Sequence, residues 1–507
     1  MAGLAAARSL LEAGISNIAI LEAQNRAGGR VFSLPIKMIN PQEGLYLKHI
    51  ELGAQWIHGE DNPVFRFSDQ KNLLSSVNSD EGQGPYLRPN GSEIPTAIVH
   101  EVSGIIGTLL EKCEAFINMA DCVPVSVGDY LQNEFQMYLE SCDDPPNVRQ
   151  DKEDLFNWHK RYLVIDNSCD NINCLSAKAW GHYQFTGGQD YINLKNGYSS
   201  LINSLTDEFP EDILKLNSPV LLIDWSKYHS IDHLNIDDKT IFNENSNQNY
   251  KRCESNYSDI GCLCNKGFSV VLTCKDNVQY HTDHVIVTSS IGFLKQNFKS
   301  FFKPPLPQIL QKTIRLMGFD TINKIFLIYE KPWWPNNIQG YQLIFPNNQP
   351  ISIDENQTWM QDLTGFDVLT NLAGVLIGWV GGKGAVEIES ISENDLAKQC
   401  TQLLQNFIRG IDIPLPVTVV RSQWHSNSYI CGAYSHITSS CDVTECSNRS
   451  LANPVCVKKP HNKKEHPVIL LAGEATHQQH FSTTHGAYES GQIQAQVIID
   501  YIKNVTG

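Results

Sequence analysis

The sequence predicts an α/β fold in which a doubly wound unit is built from both ends of the chain. At the start, residues 2–13 place alanines and leucines on one helical face, and a short apolar strand at 17–21 follows. Near the end, an apolar strand reaches Gly473–Glu474, and a helix of about 20 residues begins close to Thr483–Gly486. Helices that alternate with buried strands in this way are typical of the α/β class.

The middle of the chain combines helices with further strands. Residues 66–160 have weak helical periodicity, and residues 393–409 predict an amphipathic helix. The asparagine-rich segment 236–258 predicts a loop, and the cysteine- and lysine-rich segment 440–466 predicts a surface excursion. Apolar runs predict strands at residues 220–225, 269–273, 284–288, 324–329 and 375–379.

Charge and length limit the possible partners. The 507 residues carry a formal net charge of −16. Because phosphate binding needs a basic surface, this charge argues against a nucleic-acid partner and favours a cationic small molecule. No stretch reaches the roughly 18 apolar residues that span a bilayer. The length is enough for roughly three domain-sized units, and it leaves the oligomeric state open.

The 14 cysteines leave the cellular compartment open. Their spacings match no paired zinc pattern, so we predict no metal site. Buried thiols and a cytoplasmic protein are the favoured interpretation; disulfides in surface insertions, together with sequons, would instead indicate secretion. The cysteine clusters are Cys253, Cys262, Cys264 and Cys274, then Cys441, Cys446 and Cys456, and the sequons lie at Asn90, Asn256, Asn356, Asn448 and Asn504.

Two glycine motifs near the start predict dinucleotide binding. Gly3 opens a helix, and Glu22 follows 19 residues later at a strand end, where an acid can accept from a ribose hydroxyl. The run Ala27–Val31 has two glycines that allow close backbone approach, and its Arg30 can pair with a phosphate. The strand and two glycines that would precede Gly3 are absent, so we expect the chain as given to lack the start of the motif and to bind its cofactor weakly.

Two further motifs carry candidate polar groups. Glu51–Gly59 reads Glu-Leu-Gly-Ala-Gln-Trp-Ile-His-Gly and places His58 on a glycine-flanked loop. Leu471–Thr476 puts Glu474 at a strand end, and the helix that follows can stabilise negative charge at its N-terminus. Each motif by itself is compatible with an ordinary helix or turn, and only their joint occurrence in this order argues for a shared site.

Taken together, these motifs resemble the flavin-containing amine oxidase family over nearly the whole chain. The resemblance also covers Trp379–Gly382, Arg421–Trp424 and Cys431–Ser435. It implies bound FAD, oxidation of an amine to an imine that is hydrolysed to an aldehyde and a shorter amine, and molecular oxygen as the acceptor that yields hydrogen peroxide.

Within the family, the chain is most similar to animal spermine and acetylpolyamine oxidases. Ala433 stands where monoamine oxidases carry the cysteine that bonds to the flavin, so the FAD is expected to be non-covalent. The long helical insertion of the histone demethylases is absent, and no cation stands out for an amino-acid carboxylate. The blocks Glu474–His477 and Ser482–Ala487 match the polyamine branch, and Ser176–Gly181 with Gly187–Asp190 are similar to arthropod relatives.

The resemblance implies roles for individual residues. Lys324 would reach the flavin through a water, and His58 would hydrogen-bond the substrate amine. Trp424 and Thr483 would border that amine, with a cation–π contact resting mainly on Trp424. The residues expected to contact FAD are Gly3, Glu22, Gly29, Arg30, Gly53, Ala54, Gln55, Trp56, Val220, Trp424, Gly473, Glu474, Thr483 and Thr484.

The family architecture implies two discontinuous domains. A Rossmann-like FAD-binding domain would take residues 1–65, 195–290 and 417–507, and a mixed-sheet (α+β) substrate domain would take 66–194 and 291–416. The active site would lie at their interface. The expected substrate is a small cationic polyamine; oxidation of another amine, or a non-catalytic scaffold, remain the alternatives.

Overall fold

The computed structural model describes residues 1–507 except 41–43, 78, 120–122, 230–269, 347–354, 445, 459–464 and 507. The loop predicted at 236–258 therefore lies outside the described residues. Within the described part, no helix is long and apolar enough to cross a membrane.

Helices occupy both ends and much of the first half of the chain. Residues 66–160, where the periodicity is weak, contain most of α2 and the whole of α3 and α4. The α-helices are Ala2–Glu12 (α1), Pro63–Gln70 (α2), Thr96–Glu114 (α3), Val127–Ser141 (α4), Pro146–Asp166 (α5), Ser199–Thr206 (α6), Ser226–His229 (α7), Ile291–Phe301 (α8), Gln308–Leu316 (α9), Gly382–Glu387 (α10), Glu393–Phe407 (α11), Ser439–Thr444 (α12), Asn448–Ala452 (α13) and Thr484–Thr506 (α14).

The five apolar runs predicted in the middle of the chain match β6, β7, β9, β12 and β15 to within one or two residues, whereas the strand predicted at 17–21 is only Ile20–Leu21. The strands are Ile20–Leu21 (β1), Ser33–Asn40 (β2), Gly44–Glu51 (β3), Tyr86–Leu87 (β4), Leu214–Lys215 (β5), Val220–Asp224 (β6), Val270–Cys274 (β7), Gln279–Thr282 (β8), Val285–Val287 (β9), Phe302–Lys303 (β10), Gly318–Phe319 (β11), Asn323–Ile328 (β12), Gly340–Leu343 (β13), Leu363–Val368 (β14), Val375–Val380 (β15), Thr418–Arg421 (β16), Ser435–His436 (β17), Val455–Lys458 (β18) and Glu465–Leu471 (β19).

The two ends of the chain pack against each other, as the sequence predicts. Ala6 and Leu10 of α1 share an apolar cluster with Ile498 of α14. The helices cross closely at Gly491, where an added Cβ would come within 2.1 Å of the Ala2 carbonyl oxygen. β1 pairs in parallel with β5, and β19 pairs in parallel with β9. Parallel pairs flanked by helices are the expected α/β arrangement.

A six-stranded mixed sheet forms the second large unit, in the order β16-β12-β15-β14-β13-β4. β12 lies inside it and is buried along its whole length, which places Lys324 deep in the protein. Its apolar residues pack with those of α11 around the fully buried Trp359. Continuous apolar runs such as Ile325–Ile328 arise because both faces of this sheet are covered.

One segment differs from the sequence prediction. The segment 440–466 is not simply a surface excursion, because Cys441, Cys446 and Leu451 enter the same core cluster as α8 and α9. The domain division remains a prediction. In the structure, β16 belongs to the six-stranded sheet, and α8 and α9 pack with the core cluster of β6, β7 and β9. Apolar contacts rather than composition decide these memberships.

Candidate active site

A single cavity of about 3140 Å³ brings the predicted site residues together. Its wall includes Gly3, Glu22, Gly29, Arg30, Gly53, Ala54, Gln55, Trp56, His58, Val220, Lys324, Trp424, Gly473, Glu474, Thr483 and Thr484. These residues come from widely separated parts of the sequence, and the fold gathers all of them around one space. Their individual roles stay predictions.

One region of the cavity has the features of a dinucleotide site. The N-terminal turn of α1, with Gly3, faces the cavity, and so does Glu22 directly after β1. One carboxylate oxygen of Glu22 accepts from the backbone nitrogen of Gln24 at 2.8 Å, which holds the side chain in place. Gly29 has a positive φ of 60°, and nothing lies within 4 Å of where its Cβ would be. A helix N-terminus beside an open glycine turn is suited to a pyrophosphate.

Arg30 and Glu474 form an ion pair behind this region. Arg30 Nη1 donates to Glu474 Oε1 at 2.8 Å and to the Ala433 carbonyl at 2.6 Å. Glu474 Oε2 accepts from the Ser435 hydroxyl at 2.6 Å and from the backbone nitrogen of Ser482 at 2.9 Å. Both carboxylate oxygens therefore already have protein partners. Glu474 joins three chain segments at the wall, a role that the sequence motif did not reveal.

Gly53 is required by a close approach of two backbones. A Cβ at this position would lie 1.8 Å from the Arg30 carbonyl oxygen, which itself accepts from the Ala54 nitrogen at 3.1 Å. Trp424 closes over the same turn, and its indole nitrogen donates to the Leu52 carbonyl at 2.9 Å. The turn is therefore clamped from both sides, which fixes the wall around Gln55.

Lys324 is buried, with 3% of its surface exposed. Its ammonium group donates to the carbonyls of Glu51 and Gly53, at 2.8 and 2.7 Å, and to Gln55 Oε1 at 3.0 Å. It also lies 4.2 Å from the centre of the Trp379 ring. Burial lowers the pKa of Lys324 to about 7, against the opposing effect of the Glu51 carboxylate. A group with such a pKa can exchange a proton near neutral pH.

His58 is paired with Asp190, an acid that the sequence pointed to only as part of the Gly187–Asp190 motif. Its Nδ1 lies 2.6 Å from Asp190 Oδ1, and both side chains line the cavity. The imidazole meets the Trp56 and Tyr191 rings edge-on, with centroids 6.3 and 6.0 Å away. Trp56 in turn stacks on Trp379 at 5.7 Å, so an aromatic wall joins His58 to the Lys324 region.

Further cavity residues were missed by sequence reasoning. Glu81 and Asp166 carry carboxyl groups into this part of the cavity. Burial, reinforced by Asp367 and Asp166, raises the pKa of Glu81 to about 8. Burial also raises the pKa of the Asp166 carboxyl group. No local motif marks these residues, because helix and sheet packing bring them together.

The start of α14 forms another part of the wall. Thr483 Oγ1 accepts from the Gly486 nitrogen at 2.9 Å and donates to the His480 carbonyl at 2.7 Å, while Thr484 hydrogen-bonds to the Tyr198 hydroxyl. Ala433 lines the cavity and the neighbouring Cys431 does not. The position that faces the cavity therefore carries a methyl group and no thiol.

A cluster of His477, His480 and Glu489 beside this helix has the composition of a metal site. However, His477 Nδ1 accepts from the backbone nitrogens of Gln479 and His480, at 3.3 and 2.8 Å. A neutral imidazole that accepts at Nδ1 must carry its hydrogen on Nε2, which lies 3.2 Å from Glu489 Oε2. Hydrogen bonding within the protein accounts for the cluster.

These features fit FAD. The nucleotide region offers a helix N-terminus, an open positive-φ glycine and an acid, and it continues through the Gly53 turn to Lys324 and the aromatic wall. A second helix N-terminus, at Thr484, faces the same space and is suited to negative charge on a cofactor.

Comparisons with known proteins agree with this architecture. The family model described as flavin containing amine oxidoreductase matches residues 1–243 and 258–499. Proteins named peroxisomal N(1)-acetyl-spermine/spermidine oxidase, from Bos taurus and Homo sapiens, are each 28% identical over 519 residues, covering 98% of this chain and 92% and 93% of theirs. A probable polyamine oxidase from Arabidopsis thaliana is 25% identical and covers 99% of this chain and 97% of its own. A solved structure of a redesigned putrescine oxidase has a TM-score of 0.64 at 16% identity, covering 98% of this chain and 97% of that one, which confirms the predicted fold class.

Proposed function

The chain belongs to the flavin-containing amine oxidoreductase family, and from this premise we propose that it is an FAD-dependent polyamine oxidase. The substrate would be spermine, spermidine or an acetylated form, and the acceptor would be molecular oxygen. The names of the relatives described above support this substrate class.

The observation that carries the substrate proposal is the acidic wall of the cavity. Glu81, Glu114 and Asp166 all line the space that also contains Lys324. A polyamine carries several ammonium groups, and partly desolvated carboxylates bind such groups more strongly than water-exposed ones do. A polyamine cation would in turn favour the ionised forms of Glu81 and Asp166, whose pKa values are raised by burial.

The chemistry divides between the cofactor and the chain. When bound, FAD supplies the two-electron oxidation of the carbon beside the amine nitrogen, with oxygen as the final acceptor. The carboxylates would hold the cationic chain of the substrate, and the Trp56–Trp379 wall would keep water from the reacting carbon. His58 would hydrogen-bond the amine, which must be unprotonated to react. Lys324, with its pKa near 7, is suited to hold or release a proton at Nζ.

Ala433 supports a non-covalent FAD, since the cavity-facing position there has no thiol. We expect denaturation with acid to release free FAD into the supernatant. A flavin that stayed with the precipitated protein would contradict this point alone.

Hydrogen peroxide release from a panel of amines tests the proposed function. The panel contains spermine, N1-acetylspermine, spermidine, phenylethylamine and leucine, assayed with the flavin-loaded protein. We expect a polyamine to exceed phenylethylamine and leucine in kcat/KM by roughly a hundredfold or more, because each of these two compounds has only one ammonium group and would leave wall carboxylates without a cationic partner. A flavin-containing protein that oxidises none of the five would favour the scaffold alternative, and preference for phenylethylamine would favour another amine oxidase.

We also propose a cytoplasmic location. The sequon at Asn448 supports it, because this side chain is 2% exposed and its amide donates to the Ala475 carbonyl at 2.8 Å, which leaves no room for a glycan. The thiols of Cys113 and Cys400 are likewise fully buried. Cell fractionation tests this proposal, and recovery of the protein in the culture medium would contradict it.

A further inference from the structure

We propose that Asp190 is a positioning residue that fixes the tautomer and orientation of His58, so that His58 Nε2 presents an acceptor lone pair to the substrate amine. This inference rests on the proposed amine oxidation. It gives a role to the Gly187–Asp190 motif, which the assignment of FAD contacts does not use.

The pair is held by a fixed register between two distant segments. Ile57 and Ile192 exchange backbone hydrogen bonds at 2.9 and 3.2 Å. Beyond them, the Gly59 nitrogen donates to the Gln189 carbonyl at 3.0 Å, and the Glu60 nitrogen donates to the Gly187 carbonyl at 2.7 Å. These bonds lie on both sides of the pair, so the backbone itself sets Asp190 opposite His58.

Two glycines allow the same two segments, around His58 and Asp190, to approach each other closely. Gly59 has a φ of +77°, and a Cβ there would come 2.0 Å from the Thr186 hydroxyl oxygen. Gly188 has a φ of +81°, and a Cβ there would meet the side chain of Glu60 at 2.6 Å. The Thr186 hydroxyl also donates to the His58 carbonyl at 3.0 Å. Side chains at either glycine would push the two segments apart.

The tautomer follows from the hydrogen bond. An ionised carboxylate only accepts, so the 2.6 Å contact with Asp190 places the hydrogen of a neutral His58 ring on Nδ1. Nε2 is then left with a lone pair, which can accept from an amine N–H. The edge-on rings of Trp56 and Tyr191 restrict rotation of the imidazole about this bond.

Direct binding of the substrate by Asp190 is the alternative to its positioning role. Its side chain is 46% exposed and lines the cavity, so it can also contact a substrate ammonium directly. A direct contact would act mainly on KM and would be independent of His58. A positioning role acts through His58, affects kcat, and disappears when His58 is removed.

A double-mutant cycle distinguishes the two roles. In the flavin-loaded protein, we expect Asp190→Asn to lower kcat roughly 10- to 100-fold with KM changed less than about threefold. In a His58→Ala background the same substitution should change kcat less than about twofold. Asp190→Glu, which keeps a carboxylate, should recover part of the loss. Asp61→Asn is the matched control, because Asp61 is an exposed acid of the same loop that pairs only with Arg66 among the described residues.

The proposal would be overturned if the losses of kcat in Asp190→Asn and His58→Ala multiplied fully in the double variant, or if Asp190→Asn changed only KM. Either result would assign Asp190 to direct substrate binding. If the wild-type protein oxidises no amine, the proposed function fails separately. The inference then still has a readout: nitrogen-15 shifts of histidine-labelled protein should show His58 protonated on Nδ1 in the wild type. If the tautomer of His58 were the same in Asp190→Asn as in the wild type, and kcat were also unchanged in an active enzyme, the positioning role of Asp190 would be refuted.

Discussion

Replacing Lys324 with methionine should change how the stability of the protein depends on pH. Methionine is similar in length and apolar, and it removes the buried cation. In the wild type, burial lowers the pKa of Lys324 from 10.5 to about 7 in the folded protein. Its three hydrogen-bond acceptors, the carbonyls of Glu51 and Gly53 and Gln55 Oε1, remain in the variant without this donor.

The sign follows from proton counting. Between about pH 7 and 10.5 the unfolded wild-type chain binds a proton at Lys324 that the folded protein has released. The free energy of unfolding therefore rises with pH in this window, by at most about 1.4 kcal/mol per pH unit. From pH 7.5 to 9, we expect the wild type to gain about 2 kcal/mol relative to Lys324→Met.

Urea unfolding of the flavin-loaded proteins at several pH values measures this difference. Lys331→Met serves as the control, since Lys331 is an exposed lysine soon after the same strand. The control should follow the wild type at every pH. If the difference in the free energy of unfolding between the wild type and Lys324→Met stayed constant within about 0.5 kcal/mol from pH 7.5 to 9, deprotonation of Lys324 in the folded protein would be refuted.

Three other substitutions have defined outcomes. Glu474→Gln removes the charge paired with Arg30 and should destabilise the protein by about 3 kcal/mol, as measured by thermal unfolding. It should also reduce the amount of bound flavin, as measured by absorbance. An unchanged melting temperature would contradict a stabilising role of this ion pair. Gly59→Ala should cost about 2–4 kcal/mol in urea unfolding, whereas Gly104→Ala, at an exposed position in α3 with nothing within 4 Å, should be neutral or slightly stabilising. Equal effects at the two glycines would contradict the close approach. Glu81→Gln should raise KM for spermine roughly tenfold with unchanged flavin content, and an unchanged KM would remove Glu81 from the substrate site.

The sequence predicted those parts of the fold that depend on local patterns. The strands β12 and β15 and the helices α1, α11 and α14 were placed correctly, because their apolar periodicity is strong and their ends carry clear signals. The segment 440–466 was misjudged, since its polar composition concealed Cys441 and Leu451, which the fold buries. Composition describes a segment on average, whereas burial depends on individual side chains.

The candidate site divides in the same way. Motifs located Lys324, His58 and Glu474, and the fold brings all three to one cavity. Their partners were not predictable, because they come from non-local packing: Asp190 reaches His58 across 132 positions of sequence, and Glu81 lies on the wall through tertiary contacts. Backbone carbonyls such as those that hold Lys324 leave no sequence signal at all.

Anaerobic mixing of the flavin-loaded protein with spermine, N1-acetylspermine or spermidine tests whether the bound FAD oxidises a polyamine. If the chain is an FAD-dependent polyamine oxidase, at least one of these amines should bleach the flavin absorbance within a single turnover, and admission of oxygen should restore it with release of hydrogen peroxide. A flavin that stays oxidised with all three polyamines, yet is bleached by a chemical reductant, would contradict polyamine oxidation by this chain.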